Sequence, residues 1–175
     1  MLFVGCADHP AIHEVALTVL DNSAVSIKPS ESALTVIYFL SPECPLCINY
    51  TLAMRKLEQE FASDSIKFYG VYSKEWFSAN EINEFAIKYE LDFEMLLDDG
   101  NQLANALGAT ITPEVFLLNA KSEILYSGKI DDWVNDLGKK KLEVSEHYLK
   151  NALLSWQYGK RIDPKRTEPK GCLIE

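Results

Sequence analysis

The sequence has no excess of positive charge, few cysteines and no long apolar run, and each shortage excludes a class of protein. Its 17 Lys and Arg residues are outnumbered by 26 Asp and Glu, for a net charge of −9, so no nucleic-acid partner is predicted. No apolar run approaches the roughly 20 residues of a membrane-spanning helix. Four cysteines in 175 residues are too few for a disulfide-stapled scaffold. What remains is a single globular domain with a full hydrophobic core.

The N-terminus consists of a short apolar run, Met-Leu-Phe-Val-Gly, that ends at Cys6. This run resembles the end of a bacterial lipoprotein signal, in which the cysteine becomes the lipidated first residue, but it is shorter than the usual apolar region of about seven or more residues. Two interpretations are open. A lipidated Cys6 attaches the domain to the membrane, in or facing the periplasm. Otherwise residues 1–13 are a short tail packed on the domain, and a cytoplasmic location is equally consistent.

Hydrophobic periodicity along residues 14–159 predicts a mixed α/β domain. Alternation in residues 14–20 and 25–27 around a turn predicts an N-terminal hairpin, and the dense run at 34–40 predicts a central buried strand. Further strands are predicted at 66–72, 95–97, 115–118 and 124–126, and helices at 45–61, 78–89, 103–107 and 149–156. Residues 160–175, which include Cys172, are predicted to form an extended tail.

Two of the cysteines form the motif Cys44-Pro45-Leu46-Cys47, placed where the predicted buried strand ends and a helix begins. A helix N-terminus presents free N–H groups and the positive end of the helix dipole, and both favour a thiolate. Cysteines so placed have their pKa lowered from about 8.5 into the range of roughly 3.5–7.5. We therefore expect Cys44 to be an exposed nucleophile and Cys47, one turn on, a more buried resolving thiol. The sulfurs carry the electrons themselves, so no cofactor is predicted.

The predicted helix at residues 45–61 has an apolar side on which we expect Ile48, Leu52 and Phe61 to face the core. Pro45 suits its first position, because the missing N–H of proline would have no partner there. The helix is therefore predicted to begin directly after Cys44.

The same cysteines could instead belong to a copper- or zinc-binding module, which is the non-enzymatic alternative. His9 and His13 have a plausible metal-ligand spacing, but they precede the cysteine pair. Copper chaperones of related fold add a later histidine, and His147 falls at the start of a predicted surface helix. We therefore predict no metal site.

Three segments resemble the thioredoxin-like redoxin superfamily, which is related to AhpC/TSA. They are residues 36–40 (Val-Ile-Tyr-Phe-Leu), the Cys-Pro-Leu-Cys motif and residues 109–118 (Ala-Thr-Ile-Thr-Pro-Glu-Val-Phe-Leu-Leu). The resemblance implies a thioredoxin-like fold, with a mixed central sheet flanked by helices and an N-terminal hairpin extension. It also implies a thiol–disulfide oxidoreductase that acts on protein thiols and disulfides and has a reducing partner protein. In this family the proline matching Pro113 follows a cis peptide bond beside the cysteines, and the backbone at Thr112 pairs with an extended substrate segment.

The end of the chain is similar to one redoxin branch, through Gly-Lys-Ile-Asp-Asp at residues 128–132 and Gly-Cys-Leu-Ile at 171–174. In that branch the second position of the motif is often not cysteine, and a terminal cysteine could then be the resolving thiol. We hypothesise that Cys172 reaches the site and exchanges with Cys44 or Cys47. A free thiol on a mobile tail is the alternative.

The chain departs from the pattern of thioredoxins and peroxiredoxins at three positions. Glu43 stands where thioredoxins have tryptophan, and Tyr38 where they have a buried aspartate. A carboxylate beside Cys44 opposes thiolate formation but could carry protons, unless Glu43 is an ordinary exposed residue. Its charge favours a reductant over an oxidant. Ser41 could take the place of a peroxiredoxin's Thr or Ser, but Ile37 replaces the proline, so a peroxiredoxin-like thiol peroxidase is the other alternative.

Overall fold

The computed structural model describes residues 11–136 and 139–174. Cys6 and His9 lie outside these ranges, so the predicted lipid attachment and the histidine pair stay predictions. Within them, no helix has both the length and the apolar character needed to cross a membrane.

The strands and helices follow the predicted order, with four additional short strands that all follow α3. The strands are β1 (Leu17–Val19), β2 (Ala24–Val25), β3 (Leu34–Phe39), β4 (Ile66–Ser73), β5 (Glu94–Asp98), β6 (Ile111–Thr112), β7 (Glu114–Asn119), β8 (Ile124–Gly128), β9 (Val134–Asp136), β10 (Lys139–Lys140) and β11 (Cys172–Leu173). The helices are α1 (Pro45–Phe61), α2 (Ala79–Tyr89), α3 (Gln102–Leu107) and α4 (Tyr148–Gln157). The pairs β9–β10 and β6–β11 have no counterpart among the predicted elements.

A seven-stranded mixed sheet, in the order β2-β1-β5-β4-β3-β7-β8, forms the centre of the domain. β3 runs parallel to β4 and antiparallel to β7, and β4 runs parallel to β5. The parallel pairs need long crossovers, which α1 and α2 supply. β1 and β2 form the antiparallel N-terminal hairpin and continue the sheet beyond β5. The predicted α/β class and the hairpin extension are confirmed.

Successive residues of β3 pack into two different hydrophobic clusters. Val36 and Tyr38 join the cluster that contains the buried sides of α1, α2 and α4, whereas Ile37 and Phe39 join the one that contains α3. Alternation of this kind is the geometry of a strand covered on both faces. All six residues of β3 are buried, as the apolar run predicts. The strand that leads to the cysteine motif is therefore fixed on both sides.

Helix α1 begins and ends as predicted, but the predicted apolar side is wrong at Leu52, which is 50% exposed. The buried side instead follows the spacing of Cys47, Tyr50, Met54 and Leu57. Three- and four-residue steps keep these side chains on one face, and Leu52 lies off it. Cys47 is thus part of the core-facing row of the helix.

The C-terminal tail returns to the sheet. The backbone N–H of Ser127 in β8 donates to the carbonyl of Lys165 at 3.0 Å, and the N–H of Thr167 donates to the carbonyl of Ser127 at 3.0 Å. The Thr167 hydroxyl also bonds with that of Tyr126 at 2.6 Å and accepts the N–H of Lys129 at 2.8 Å. Beyond this anchor, β11 pairs with β6. Within its described residues the tail is docked on the domain through β8 and β6.

Candidate active site

Cys44 is the N-cap of α1, with extended backbone angles of φ −74° and ψ 116°. β3 ends at Phe39, and the loop of residues 40–43 leads to Cys44. The carbonyl of Cys44 accepts the first helical hydrogen bond, from the N–H of Ile48 at 3.1 Å. Pro45 occupies the first helical position. The strand-to-helix turn therefore holds the Cys44 sulfur close to the free N–H groups and the positive dipole end of α1.

The turn between β6 and β7 lies against the cysteine motif. The Thr112–Pro113 peptide bond at this turn is cis. The Cys44 thiol donates a hydrogen bond to the Thr112 carbonyl, with 3.1 Å between Sγ and O. The sulfur of Cys47 accepts the backbone N–H of Ser41 at 3.4 Å. The fold thus brings the predicted residues Cys44, Cys47 and Thr112 together from three separate segments, with Pro113 next to them in the chain.

The two motif cysteines have pKa values shifted in opposite directions. The thiol of Cys47, and to a smaller extent that of Cys172, donates a hydrogen bond to the Cys44 sulfur and lowers the pKa of Cys44 to about 4, against the opposing effect of burial. Burial first, and then the hydrogen bond to Cys44 and its charge, raise the pKa of Cys47 well above the ordinary value. Near neutral pH the favoured state is therefore a Cys44 thiolate beside a protonated Cys47. That state gives up the bond to the Thr112 carbonyl, because a thiolate has no proton to donate.

The expectation that Cys44 is exposed is wrong: its residue is only 1% exposed, and Cys47 is fully buried. The physical reason is the docked tail. Cys172, directly opposite Thr112 in the β6–β11 register, lies within hydrogen-bond reach of Cys44. Cys172 itself is exposed, and its pKa is raised to about 11 by partial burial of the thiol and by the Cys44 charge. Cys172 thus lies beside the two motif cysteines.

The remaining predicted residues take lesser positions. Glu43 is exposed and lies at a cavity of about 340 Å³ next to Cys44. Ser41 also borders this cavity, and its hydrogen bond to a cysteine is the backbone contact with Cys47. Tyr38 is fully buried against Phe68 and Phe93, and burial raises the pKa of its phenol. Tyr38 therefore fills the core beneath the site as an apolar group.

Metal binding gains no support within residues 11–136 and 139–174, where no three His, Cys, Asp or Glu side chains are grouped to hold an ion. His147 is the exposed N-cap of α4, and His13 is exposed in a short 3₁₀ turn near the N-terminus.

The sequence matches the profile of the AhpC/TSA family over residues 10–127, which is more than half of the chain. The chain belongs to the AhpC/TSA family. The resemblance of its three segments to the redoxins is therefore confirmed.

Solved structures show the same fold. An uncharacterized conserved protein from Geobacillus kaustophilus is 22% identical, with 97% of this chain and 93% of that chain covered and a TM-score of 0.81. A hypothetical protein from Sinorhizobium meliloti is 21% identical, over 97% and 95% of the two chains, with a TM-score of 0.78. A secreted disulfide oxidoreductase from Mycobacterium tuberculosis is 17% identical, over 62% and 78%, with a TM-score of 0.54. No curated protein matches the chain. The AhpC/TSA protein thus has a thioredoxin-like fold.

Two acidic residues that support the AhpC/TSA site were missed at the level of sequence. The carboxylate of Glu114 is buried and accepts the N–H of Thr110 at 3.1 Å, which fixes the loop before β6. Asp98 borders the cavity and accepts the N–H groups of Leu103 and Ala104 at 3.0 and 2.9 Å. Asp98 precedes a helix by a few residues, a position typical of capping, and this signal could have identified it.

The pH dependence of Cys44 alkylation tests the origin of its lowered pKa. In the reduced protein, the rate of carboxamidomethylation at Cys44, followed by peptide mass, is expected to rise with a midpoint near pH 4 and to be flat near neutral pH. Cys47→Ala removes the strongest donor and should move the midpoint furthest towards the ordinary value of about 8.5. Cys172→Ala should move it less. The same low midpoint in all three proteins would show that neighbouring thiols do not set this pKa, and a midpoint near 8.5 in the unsubstituted protein would show that it is not lowered.

Proposed function

We propose that this protein is a thiol–disulfide oxidoreductase that exchanges electrons with protein disulfides through its Cys-Pro-Leu-Cys motif. Cys44 is the nucleophile and Cys47 the resolving thiol. The contrast between their pKa values carries the proposal, because exchange needs one thiolate that attacks and one thiol held in reserve. The AhpC/TSA family and the disulfide oxidoreductase among the similar structures support it.

The reaction is a pair of thiol–disulfide exchanges. The Cys44 thiolate attacks one sulfur of a partner's disulfide, which forms a Cys44–partner disulfide and releases the other partner sulfur as a thiolate. Cys47 loses its proton and attacks the Cys44 sulfur, so the bond to the partner breaks and the Cys44–Cys47 disulfide forms. A reducing partner protein then returns both cysteines to thiols. The same exchanges also run in the oxidising direction: a partner thiolate attacks the Cys44 sulfur of the Cys44–Cys47 disulfide, and Cys47 leaves as a thiolate. A second partner thiolate then attacks the partner sulfur bound to Cys44, so the partner's disulfide forms and Cys44 leaves as a thiolate.

Thr112 and Pro113 hold the partner's chain in this proposal. The carbonyl of Thr112 lies 3.1 Å from the Cys44 sulfur, so a segment paired with β6 presents its own sulfur beside Cys44. Main-chain pairing at a strand edge gives affinity without requiring a particular sequence. An extended, cysteine-containing protein segment is thus the form of substrate that suits the site.

The preferred direction of transfer follows from the thiolate. A lowered pKa of the nucleophile stabilises the reduced enzyme, which raises its reduction potential and favours oxidation of partners. This effect opposes the direction expected from Glu43, whose exposed position weakens its charge at Cys44 by solvent screening. We therefore propose that the Cys44–Cys47 pair has a higher, more oxidising reduction potential than thioredoxin.

A redox titration of the AhpC/TSA protein against glutathione tests the function. The Cys172→Ser variant is expected to form a reversible Cys44–Cys47 disulfide, followed by mass after thiol alkylation. Its reduction potential should lie between roughly −120 and −270 mV, the range of oxidising to reducing members of this fold. A value near the upper end supports the oxidising direction.

The Cys44→Ser and Cys47→Ser variants are the controls, because neither can form this bond. If Cys172→Ser forms no Cys44–Cys47 disulfide, the exchange mechanism fails. In that case hydrogen peroxide consumption tests the peroxidase, and metal content measured against free thiols after purification tests the metal-binding module.

A further inference from the structure

Strand β11 lies where a partner's segment would bind in the function proposed above. Cys172 is directly opposite Thr112 and Leu173 opposite Ile111, in antiparallel register. The N–H of Ile174 continues the pairing by donating to the carbonyl of Thr110 at 2.9 Å. The edge of β6 is therefore already occupied by the chain's own C-terminus.

Gly171 fits this pairing because it has no side chain. A Cβ at this position would overlap the carbonyl oxygen of Thr112 and would lie 3.0 Å from Cγ2 of Ile111. Glycine is used where one backbone must approach another this closely. The absence of a side chain at Gly171 thus allows this segment to lie against the edge of β6 with Cys172 beside the active site.

Cys172 also faces the reactive sulfur. The two residues border the same cavity, and Cys172 is near enough for its thiol to stabilise the Cys44 thiolate and lower the pKa of Cys44. Cys44 is buried, whereas Cys172 and Leu173 are exposed. Any partner sulfur that approaches Cys44 along β6 must first displace this segment.

The anchor at Thr167 limits how much of the tail has to move. Thr167 is held to β8 by its N–H and its hydroxyl, and only residues 168–170 separate it from Gly171. A short tether keeps the effective concentration of Cys172 near Cys44 in the millimolar range or above. Displacement of β11 is therefore local and readily reversed.

We propose that residues 170–174 are an internal substrate segment, which holds the edge of β6 in place of a partner's segment and exchanges disulfide with Cys44 through Cys172. The Cys172 thiolate attacks the Cys44 sulfur of the Cys44–Cys47 disulfide. The Cys44–Cys47 bond breaks, the Cys44–Cys172 bond forms, and Cys47 leaves as a thiolate that takes up the proton lost by Cys172. No further oxidant is needed. The segment also indicates the preferred external substrate, an extended strand antiparallel to β6 with a small residue before its cysteine.

Three full-length proteins test this proposal: Cys47→Ser, Cys47→Ser with Gly171→Val, and Cys47→Ser with Arg161→Gln. Each is equilibrated with oxidised and reduced glutathione, and disulfides are identified by peptide mass without reduction. The first is expected to form mainly Cys44–Cys172. Arg161 is exposed and lies outside both the β6–β11 pairing and residues 170–174, so the third should match the first. Gly171→Val should lower the ratio of Cys44–Cys172 to Cys44–glutathione by at least about tenfold.

Glutathione on Cys44 in all three proteins, without Cys44–Cys172, would overturn the internal substrate while leaving Cys44 a competent nucleophile. An equal Cys44–Cys172 yield in the Gly171→Val protein would show that strand pairing does not direct the exchange. Failure of Cys44 to form either disulfide would instead contradict the proposed oxidoreductase. Because Cys47→Ser alone keeps the native tail, the test does not depend on the folding of the Gly171→Val protein.

Discussion

The Cys47→Ser, Cys172→Ser double variant is expected to trap its substrate when it is mixed with a peptide dimer joined by one disulfide. One of the two peptide chains should remain attached to Cys44 through a mixed disulfide, and the other should be released as a free thiol. The first exchange needs only the Cys44 thiolate, and serine at position 47 still offers a hydroxyl to hydrogen bond with it. With both other thiols of the site removed, nothing resolves the mixed disulfide. Turnover should fall to the uncatalysed rate while one peptide per protein accumulates, as measured by intact mass.

The matching control is Cys44→Ser, in which the nucleophile is absent. This variant should carry no adduct on Cys47, because Cys47 is buried and burial, the largest cause of its raised pKa, does not depend on Cys44. An adduct on Cys47 in this control would mean that the roles of the two motif cysteines have been wrongly assigned.

Gly128→Ala is expected to lower the free energy of unfolding by about 2–4 kcal/mol. Gly128 ends β8 with φ of +124°, a value that residues with a side chain rarely adopt. A Cβ there would also overlap the carbonyl oxygen of Thr167, the residue that anchors the tail. The substitution therefore combines backbone strain with a clash that pushes the tail from β8. Chemical denaturation followed by circular dichroism measures the effect.

Gly159→Ala separates the two causes. Gly159 also has a positive φ, +61°, but a Cβ there would have nothing within 4 Å. Backbone strain alone should cost about 1–2 kcal/mol. Equal losses in the two variants would show that the contact between Gly128 and Thr167 adds nothing to stability.

Local patterns in the sequence determined most of the sheet and the helices. The apolar run of β3, the Pro45 start of α1 and the capping box of α2, where the N–H of Ser78 donates to the Glu81 carboxylate at 2.9 Å, each depend on neighbours within a few residues. The position of Cys44 at a strand-to-helix turn followed from these elements. Its ability to form a thiolate could therefore be predicted without the fold.

Only the tertiary structure decided how that thiol is covered and what it contacts. The bond between Cys44 and Thr112 joins residues 68 positions apart, and the partner of β6 comes from the far end of the chain. Neither strand of the β6–β11 pair exceeds two residues, and a segment this short cannot show the alternating hydrophobic pattern that predicts a strand. The predicted exposure of Cys44 failed for this reason: burial depends on which distant segment packs on a residue. The motif predicted the thiolate chemistry, whereas the position of the C-terminal tail beside Cys44 depends on contacts between segments distant in the sequence.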